Sequence, residues 1–411
     1  MDRTLIWQLA FRYLRGKRSA NAVPILSRIS MLAIAVSSAA MIVIFSVFNG
    51  LESVAKDSYK AFYPELRITI TRGKFFNADS AKLNAVKQIK GVKNVALVIE
   101  DNVLADDIDN TQMKVLTLKG IDNKYFDVND TRQYITQGSD SVSAIHHTAI
   151  AGFRVVNELG LDIHFIDSKI ALYYLNPAVT NPEADPTSAY QELLLHPDGV
   201  FKVEDEFDTK YVLAPLPLVQ ELFHEQGKYS SIEISTESGA TEKVKGELQQ
   251  LFGGSYKVES RYEQNRTMYS VMAGEKWGIY FILLLVLLIA SFNMIGALSM
   301  LVIEKQKDIA ILKAMGANAP DIRAIFMLEG VLWALTGGLT GIVLGTGICL
   351  AQQKFSIVKL QGDFLVSAYP VEMHPADLLL VIATIFTVGV LASWYPASRA
   401  TKTLDPSLKS A

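Results

Sequence analysis

The residues of this 411-residue chain that could do chemistry are scattered and do not form a known catalytic motif. ATP hydrolysis needs a G-x-x-x-x-G-K-[ST] phosphate loop, and Gly16-Lys17-Arg18-Ser19 lacks its upstream glycine. The six histidines show no metal-binding spacing, and only His146 and His147 are adjacent. No Gly-x-Ser-x-Gly elbow occurs. We therefore predict no catalytic residue, no metal and no cofactor in this chain, with surface or structural roles for the histidines.

Cysteine chemistry is also excluded. The one cysteine, Cys349, lies inside a long apolar run, so the rest of the chain folds without disulfides. A thiol at lipid depth is not an accessible thiolate and is a poor nucleophile.

The elements that carry these residues include membrane spans. Hydrophobic residues make up 50% of the chain and charged residues 20%, which indicates a membrane part and a water-exposed part. A bilayer core needs about 20 apolar residues, and four uncharged runs reach that length. They are 29–51, 277–303, 330–353 and 378–398. Buried helices of a large soluble protein are the alternative, and four such runs speak against it.

Charge predicts the orientation of the spans. Basic residues crowd the segment before the first run, the loop between the second and third, and the tail. The loop between the last two runs carries only Lys354 and Lys359. The positive-inside rule therefore predicts both termini in the cytoplasm. Residues 1–28 read as a cytoplasmic amphipathic segment along the inner leaflet, with a simple basic flank as the alternative.

Between the first two runs lies a long block, 52–276, that we expect to be extracytoplasmic. Strand-like stretches begin at Leu66, Val95, Lys114, Lys169, Tyr211, Ser231 and Tyr256. Helical stretches begin at Ser80, Phe153, Leu216 and Thr241 and alternate with the strands. The predicted fold class is α+β: four transmembrane helices with a large α+β extracytoplasmic, hence periplasmic, domain inserted between spans 1 and 2.

One loop of this block carries three prolines, Pro177, Pro182 and Pro186. Proline resists helix and sheet interiors, so we predict an exposed and fairly stiff projection. A tolerated surface insertion and a partner-docking loop both fit this composition.

The segment 304–323 is a charged island between two apolar runs. Ile309, Leu312 and Met315 recur at helical spacing, which predicts an amphipathic helix with Ala310 on its packed side. Gly316 supplies a C-terminal stop, and Pro320 suits the start of the next helix.

The third span repeats Gly337, Gly341 and Gly345 at four-residue intervals. Such spacing lets two helix backbones approach closely, either within one subunit or across a dimer. Glu329, at the cytoplasmic edge of this span, is expected to be solvated or paired.

Several short sequence motifs occur one after another along the chain. They are Phe11-Arg12-Tyr13-Leu14-Arg15, Ser46-Val47-Phe48-Asn49-Gly50, Gly199-Val200-Phe201, Glu206-Phe207-Asp208, Asn293-Met294-Ile295, the island with its flanks, Ile325-Phe326-Met327-Leu328-Glu329-Gly330, Tyr369-Pro370-Val371-Glu372 and Tyr395-Pro396-Ala397-Ser398-Arg399-Ala400. In this order, with four spans, they resemble the LolC/LolE-type permease subunit of lipoprotein-releasing ABC transporters, within the FtsX/MacB superfamily. The resemblance covers nearly the whole chain.

The resemblance implies a mechanotransmission mechanism in the bacterial inner membrane. Two permease subunits, as a homodimer or heterodimer, pair with two cytoplasmic ABC ATPase subunits that bind ATP and Mg²⁺. ATP hydrolysis there shifts the spans and the periplasmic domain, and a lipoprotein is passed to a periplasmic carrier. The implied layout is an amphipathic segment at 1–28, spans at 29–51, 277–303, 324–353 and 378–398, the domain at 52–276, a coupling helix at 304–323, a short periplasmic loop at 354–377 and a tail at 399–411.

Site residues follow from the same resemblance. The ATPase-coupling segment maps to Glu304, Lys305, Lys307, Asp308, Ile309, Ala310, Leu312, Lys313, Met315 and Gly316. The proline-rich loop matches the position of the carrier-docking hook of the LolC type. For lipid and lipoprotein contact we nominate apolar residues near the outer ends of the spans: Val43, Val47, Tyr280 and Leu284.

Rival functions stay open. A MacB-like efflux permease normally has a fused ATPase domain, which this chain lacks. An FtsX-like signalling protein would control a cell-wall hydrolase and usually has a smaller outer domain. A membrane enzyme with an extracytoplasmic active site has no supporting constellation here.

Overall fold

The computed structural model of the chain describes residues 23–106, 113–165, 167–175, 190–360 and 368–402. These form two compact units, one spanning Met1–Val54 and Ser270–Ala411, the other Ala55–Tyr269. We call the first the membrane unit and the second the inserted domain. Pro177, Pro182, Pro186 and residues 1–22 lie outside the described residues, so the docking-loop and amphipathic-segment predictions stay predictions.

Four long apolar helices build the membrane unit. They are α1 (Val23–Tyr59), α9 (Arg266–Glu304), α11 (Ala319–Phe355) and α12 (Pro375–Lys402), and we call them spans 1 to 4. Each is long and apolar enough to cross a membrane. Spans 1 and 2, of 37 and 39 residues, exceed the roughly 20 residues that the hydrocarbon core requires. The four predicted spans are confirmed, and residues 23–28 belong to the span 1 helix.

The inserted domain is built on a ten-stranded mixed sheet. Its strands are β1 (Leu66–Ile70), β3 (Val92–Asp106), β4 (Met113–Ile121), β5 (Ile135–Gly138), β6 (Thr148–Gly152), β7 (Ile170–Leu175), β8 (Tyr190–Phe201), β9 (Tyr211–Pro215), β11 (Ser231–Thr236) and β12 (Tyr256–Ser260). Neighbouring strands follow the order β12-β1-β11-β3-β4-β9-β6-β8-β5, and β7 pairs with β3 and β8. Strands β2 (Phe76–Asn77) and β10 (Lys228–Tyr229) form a separate pair. Antiparallel and parallel pairs coexist, with β4 and β9 parallel.

Short helices pack between these strands. They are α2 (Ser80–Gln88), α3 (Tyr125–Val128), α4 (Phe153–Glu158), α5 (Asp205–Asp208), α6 (Leu216–Leu222), α7 (Thr241–Phe252) and α8 (Arg261–Gln264). In α7 the buried residues Val244, Leu248 and Phe252 recur every four positions, so one face packs on the sheet. The α+β prediction is confirmed, and all seven predicted strands and all four predicted helices are found.

The string Glu206-Phe207-Asp208 forms the short helix α5. Phe207 is fully buried among aromatic rings. Asp208 is also buried, and its Oδ1 accepts a hydrogen bond from the Val203 amide at 2.8 Å. Burial, which disfavours the ionised carboxylate, raises the pKa of Asp208 to about 6.

Candidate functional site

The charged island folds as a short helix, α10 (Gln306–Ala314), between spans 2 and 3. Span 2 ends at Glu304, and Lys305 is the single residue that separates the two helices. Backbone hydrogen bonds cross this break, from Lys305 to Leu301 at 2.9 Å and from Ile309 to Lys305 at 3.0 Å. Glu304 therefore belongs to span 2, which corrects the prediction of one helix starting there. Lys305 is therefore hydrogen-bonded to both helices, which it joins without a flexible loop.

The end of α10 follows the predicted stop signal. Gly316 has φ +94°, a left-handed conformation that glycine adopts at little cost. The Ala317 amide reaches back to the Leu312 carbonyl at 3.0 Å, closing the last turn. Asn318 and Asp321 then form a capping box at the start of span 3, with Pro320 in its first turn. The chain is thus held on both sides of α10.

The packed side of α10 differs from the prediction. Ile309 is 1% exposed and belongs to the hydrophobic core of the membrane unit, with Leu312 half-buried on the same side. Ile311 and Met315 are 59% and 78% exposed, and Ala310 is exposed as well, so its assignment to the packed side was wrong. At 100° per residue, four exposed apolar residues lie together on one side of α10, and we call this surface the island face: Ala310, Ile311, Ala314 and Met315.

The charged residues of the island sit beside this face. Lys305 and Asp308 form an ion pair at 3.1 Å, and Lys307 is exposed. Exposed pairs of this kind contribute little stability, about 0 to 1 kcal/mol. An exposed apolar face with charges at its margin has the composition of a protein interface.

A cleft of about 370 Å³ lies next to the start of span 3. It is lined by Ala319, Pro320, Arg323, Ala324, Met327 and Thr401. The Arg323 guanidinium lies 4.8 Å from the centre of the Trp394 ring, so its side chain is held in place. The cleft and the island face are both available to a partner on this side of the spans.

Glu329 of span 3 is buried and not solvated. It is 1% exposed in the membrane unit, and its Oε2 has no hydrogen-bond partner among the described residues. Of the two expected arrangements, solvated or paired, the solvated one is excluded, because the helix turns Glu329 inward. At the next position, a Cβ on Gly330 would collide with Ser393, so spans 3 and 4 are in close contact here.

The glycine stripe of span 3 packs against span 1 of the same chain. An added Cβ would lie 2.6 Å from the Met31 carbonyl oxygen at Gly337, and 2.9 Å from the Ala39 carbonyl oxygen at Gly345. At Gly341 it would collide with Ala35 and Ser38. Of the two arrangements that the sequence left open, the structure shows the one within a subunit.

Gly341→Ala should therefore destabilise the membrane unit. The obstacle is a backbone oxygen, which cannot move aside without separating spans 1 and 3, and overpacking of this kind costs about 1 to 3 kcal/mol. Thermal unfolding of the purified protein in detergent measures the change. Gly347→Ala is the matched control, because a Cβ there meets no described atom within 4 Å. Equal melting temperatures for both variants would contradict the contact.

The residues nominated for lipid contact lie mainly inside the bundle. Val43, Tyr280 and Leu284 pack against the core of the membrane unit, and Val47 is half-buried. The Tyr280 ring stacks on Phe45 with centroids 6.3 Å apart, and its hydroxyl lies 3.0 Å from that of Thr384. Apolar side chains that span 2 exposes instead are Phe281, Ile282, Leu285, Ile289 and Phe292. The sequence missed these because hydrophobicity alone does not distinguish the two sides of a span. The nominated contacts stay a prediction.

Within the inserted domain, the incoming and outgoing chain segments are tied together. Phe62, just after α1, stacks on Phe207 with centroids 4.6 Å apart. Arg261 of α8 donates to the Tyr63 carbonyl at 2.8 Å, and Gln264 donates to the Pro64 carbonyl at 3.1 Å. The ammonium of Lys56 lies 5.8 Å from the centre of the Tyr269 ring. Because α1 enters the domain here and α9 leaves it here, both helices share one anchor.

Among the described ranges, no three His, Cys, Asp or Glu side chains come together as metal ligands would. Cys349 is buried.

Two family models match successive parts of the chain. Residues 27–170 match the MacB-like periplasmic core domain, and residues 280–404 match the FtsX-like permease C-terminal domain. The first covers most of span 1 and the first half of the inserted domain, and the second covers most of span 2, the island and spans 3 and 4. Both matched domains are those of the FtsX/MacB superfamily, which this chain resembles in both parts.

Full-length relatives refine this assignment. The permease is 24% identical to the lipoprotein-releasing system transmembrane protein LolE of Haemophilus influenzae, over 97% of both chains. It is 24% identical to the LolC protein of the same system in Xylella fastidiosa strain Temecula1, over 96% of both. The crystal structure of the periplasmic region of MacB from Actinobacillus actinomycetemcomitans aligns with 53% of this chain and 98% of that one, with 11% identity and a TM-score of 0.34. The protein is an ABC transporter permease that is similar to LolC and LolE over nearly its whole length, and it is a multi-pass protein of the bacterial inner membrane.

Proposed function

We propose that this permease extracts lipoproteins from the inner membrane and passes them to a periplasmic carrier, powered by a separate ATPase subunit. The proposal is supported by relatives named for lipoprotein release that align over nearly the whole chain, spans and inserted domain together. The observation that carries it is the island face, an exposed apolar helix surface between spans 2 and 3.

Energetics require an external source of work. Each buried CH₂ of a lipid anchor contributes about 0.8 kcal/mol to membrane binding, so a protein with several acyl chains does not leave spontaneously. The chain has no phosphate loop of its own, and the energy must therefore enter from another polypeptide. We propose two ATPase subunits for two permease subunits, with ATP and Mg²⁺ bound in the ATPase. The permease itself is non-catalytic in this proposal.

The path of the force runs through span 2. A push on α10 reaches α9 across the single residue Lys305, and α9 continues for 39 residues to Arg266. Packed helices that can adopt more than one discrete arrangement can transmit such a shift. At the base of the inserted domain, the shared anchor of α1 and α9 lets both helices act on one body. This is mechanotransmission: ATP binding moves the domain and the lipoprotein leaves.

Orientation completes the proposal. By the positive-inside rule, the basic residues of the island and of the N-terminal segment predict that both termini and α10 are cytoplasmic and that the inserted domain is periplasmic. The proline-rich loop with Pro177, Pro182 and Pro186 is then on the periplasmic side, where it can dock the carrier. The lipoprotein lies at the outer ends of spans 1 and 2.

Depletion of the permease in its host is the direct test. Mature lipoproteins should accumulate in the inner membrane, because nothing else supplies the work of extraction. Fractionation of inner and outer membranes followed by immunoblotting of two lipoproteins measures this, with an outer-membrane β-barrel protein as the control. Normal outer-membrane lipoprotein levels in a host without a paralogue would overturn the proposal. A cell-division or wall-hydrolysis defect with normal lipoprotein sorting would favour the FtsX-like signalling role.

A further inference from the structure

Two strings that the mechanism above does not use meet in the membrane unit. The Glu372 amide donates to the Ser46 carbonyl at 2.8 Å, and the Asn49 side chain donates to the Glu372 carbonyl at 3.3 Å. A Cβ on Gly50 would collide with the Pro370 backbone, so only glycine permits this approach. The segment before span 4 therefore lies directly on the end of span 1, at the end from which span 1 continues into the inserted domain.

Three polar side chains join three spans at this point. Asn49 of span 1 donates from Nδ2 to Asp377 Oδ2 of span 4 at 2.6 Å. The Lys276 ammonium of span 2 donates to Asn49 Oδ1 at 2.9 Å and forms an ion pair with Asp377 Oδ1 at 3.0 Å. Asn49 and Asp377 are buried, and the Lys276 side chain is 29% exposed. We call these three residues the span lock.

The span lock differs from the other contacts in the bundle. Span 3 touches span 1 through glycines that face backbone atoms, as at Gly337 against Met31, and it touches span 4 through glycines that face side chains, as at Gly338 against Ile385. In span 2, by contrast, Gly274, Gly278 and Gly296 have no described neighbour within 4 Å of an added Cβ. Spans 1 and 3 are thus in close backbone contact, whereas side chains join span 3 to span 4 and hold span 2 in place.

A lysine suits the attachment of a span that moves. Its ammonium is a point charge on a flexible four-carbon stem, so it can keep a carboxylate and an amide as partners while the helix axis tilts. Charge-assisted hydrogen bonds of this kind are about twice as strong as neutral ones. A glycine contact would have to break for the same tilt.

We propose that Lys276 is a positioning residue for transport: it keeps the outer end of span 2 in register with spans 1 and 4 while the inner end is displaced. This inference rests on the proposed entry of force at α10. Without the lock, a push on span 2 no longer reaches the outer ends of spans 1 and 4 directly, and only the anchor in the inserted domain still joins spans 1 and 2.

The test uses the permease with its ATPase in proteoliposomes. Lys276→Met removes the charge at nearly constant length, and Lys276→Arg keeps a cation. The probe is a fluorescent triacylated peptide transferred to an acceptor protein, with ATP hydrolysis measured in parallel. Lys276→Met should lower the peptide released per ATP by about tenfold, as expected when a hydrogen bond to a charged group is lost, while hydrolysis continues. Lys276→Arg should recover most of the release.

A second measurement makes the inference independent of the substrate. Spin labels at Val271→Cys and Leu379→Cys, both at exposed positions, report the distance between spans 2 and 4 in a Cys349→Ala background. The distance distribution should be narrow in the parent and in Lys276→Arg, and broad in Lys276→Met. The exchanged pair Lys276→Asp with Asp377→Lys should narrow it again, which covers the case that a single variant assembles poorly. Lys354→Met, an exposed lysine at the end of span 3, is the matched control.

The outcomes separate the two proposals. An unchanged distance distribution in Lys276→Met, or a broad one that Lys276→Arg and the exchanged pair both fail to narrow, overturns the span lock. A parent protein that shows a narrow distribution and ATP hydrolysis without peptide release overturns the lipoprotein substrate and leaves the lock standing.

Discussion

Ile311→Asp should separate ATP hydrolysis from transport while the permease remains folded and inserted. Ile311 is 59% exposed at the centre of the island face, so the new carboxylate meets water in the isolated permease and causes no loss of packing. In the complex it would be buried against the ATPase without a partner, and truncated or charged interface anchors commonly cost about 2 kcal/mol or more. That corresponds to roughly a thirtyfold loss of ATPase binding or of coupled release.

The measurement combines co-purification of the ATPase with release of the triacylated peptide per ATP. Ala310→Asp should act in the same direction, since Ala310 also lies on the exposed side. Charge reversal at Lys307 should reduce coupling less, because a rim charge mainly affects the association rate. Ile145→Asp is the matched control, an isoleucine in the inserted domain that is 87% exposed.

Ile309→Asp distinguishes docking from folding. Ile309 is 1% exposed in the core of the membrane unit, so this variant should unfold α10 locally and lower the melting temperature. If Ile311→Asp lowers the melting temperature as much as Ile309→Asp, the island face packs within the permease. Unchanged coupling in Ile311→Asp, Ala310→Asp and the Lys307 reversal together would make α10 an ordinary connector.

The island illustrates what the sequence could predict. Its helix, its stop at Gly316 and the capped start of span 3 all follow from residue types, because local conformation decides them. The direction in which the helix packs does not follow. Ile309 and Ile311 are both apolar, and only the neighbouring spans decide that Ile309 is buried and Ile311 exposed.

Among the strands that escaped prediction, β6 and β8 did so for a related reason. In β6, all five residues from Thr148 to Gly152 are buried, but two alanines and a glycine have weak strand propensity. In β8, His196 and Pro197 interrupt the alternation, and the register with β6 shifts at Ala149. These strands form because they pair with strands far away in the sequence. A local sequence pattern cannot predict such pairing.

The largest feature that the sequence concealed is a buried charge cluster at the centre of the sheet. Glu233 of β11 is fully buried, and its Oε1 accepts from Lys119 at 2.9 Å and from Arg67 at 3.1 Å. Its Oε2 accepts from Asn129 at 2.6 Å. Arg67 stands opposite Glu233 in the register of β1 and β11, and Lys119 stands opposite Glu100 in that of β3 and β4. Each residue alone reads as an ordinary polar position of a strand.

Glu233→Gln should destabilise the inserted domain strongly. Removing one member of a buried ion pair leaves its partner charged in a medium that solvates it poorly, at a cost of about 3 to 5 kcal/mol. Hydrogen exchange of the peptides from β1, β4 and β11 under mild urea reports the change locally. Asp127→Asn is the control, because the Lys124–Asp127 pair is largely exposed and should contribute about 0 to 1 kcal/mol. Equal effects of the two substitutions would show that the cluster carries no net electrostatic stability.

The pH dependence of the same exchange tests the cause. Burial alone would raise the pKa of Glu233, but the charges of Lys119 and Arg67 outweigh it, so the pKa lies below its ordinary 4.5. The pKa of Lys119 is raised: burial opposes its charge, and Glu233 outweighs that effect. A carboxylate with a lowered pKa contributes stability above its unfolded value and loses it as pH falls through the folded value. Lys119 contributes below its ordinary 10.5 and loses that contribution only in stronger base.

The cluster should therefore stabilise the domain from about pH 5 to pH 10 and weaken in acid. Asp208 acts in the opposite sense over part of this range. Its pKa is raised by burial to about 6, so its contribution is present below its ordinary 3.8 and is lost as pH rises through about 6. The comparison is therefore made in an Asp208→Asn background, where Glu233 should give protection in β1, β4 and β11 that declines as pH falls below about 5. Glu233→Gln should abolish that decline, and a decline of the same size in both proteins would assign the acid sensitivity to carboxylates outside the cluster.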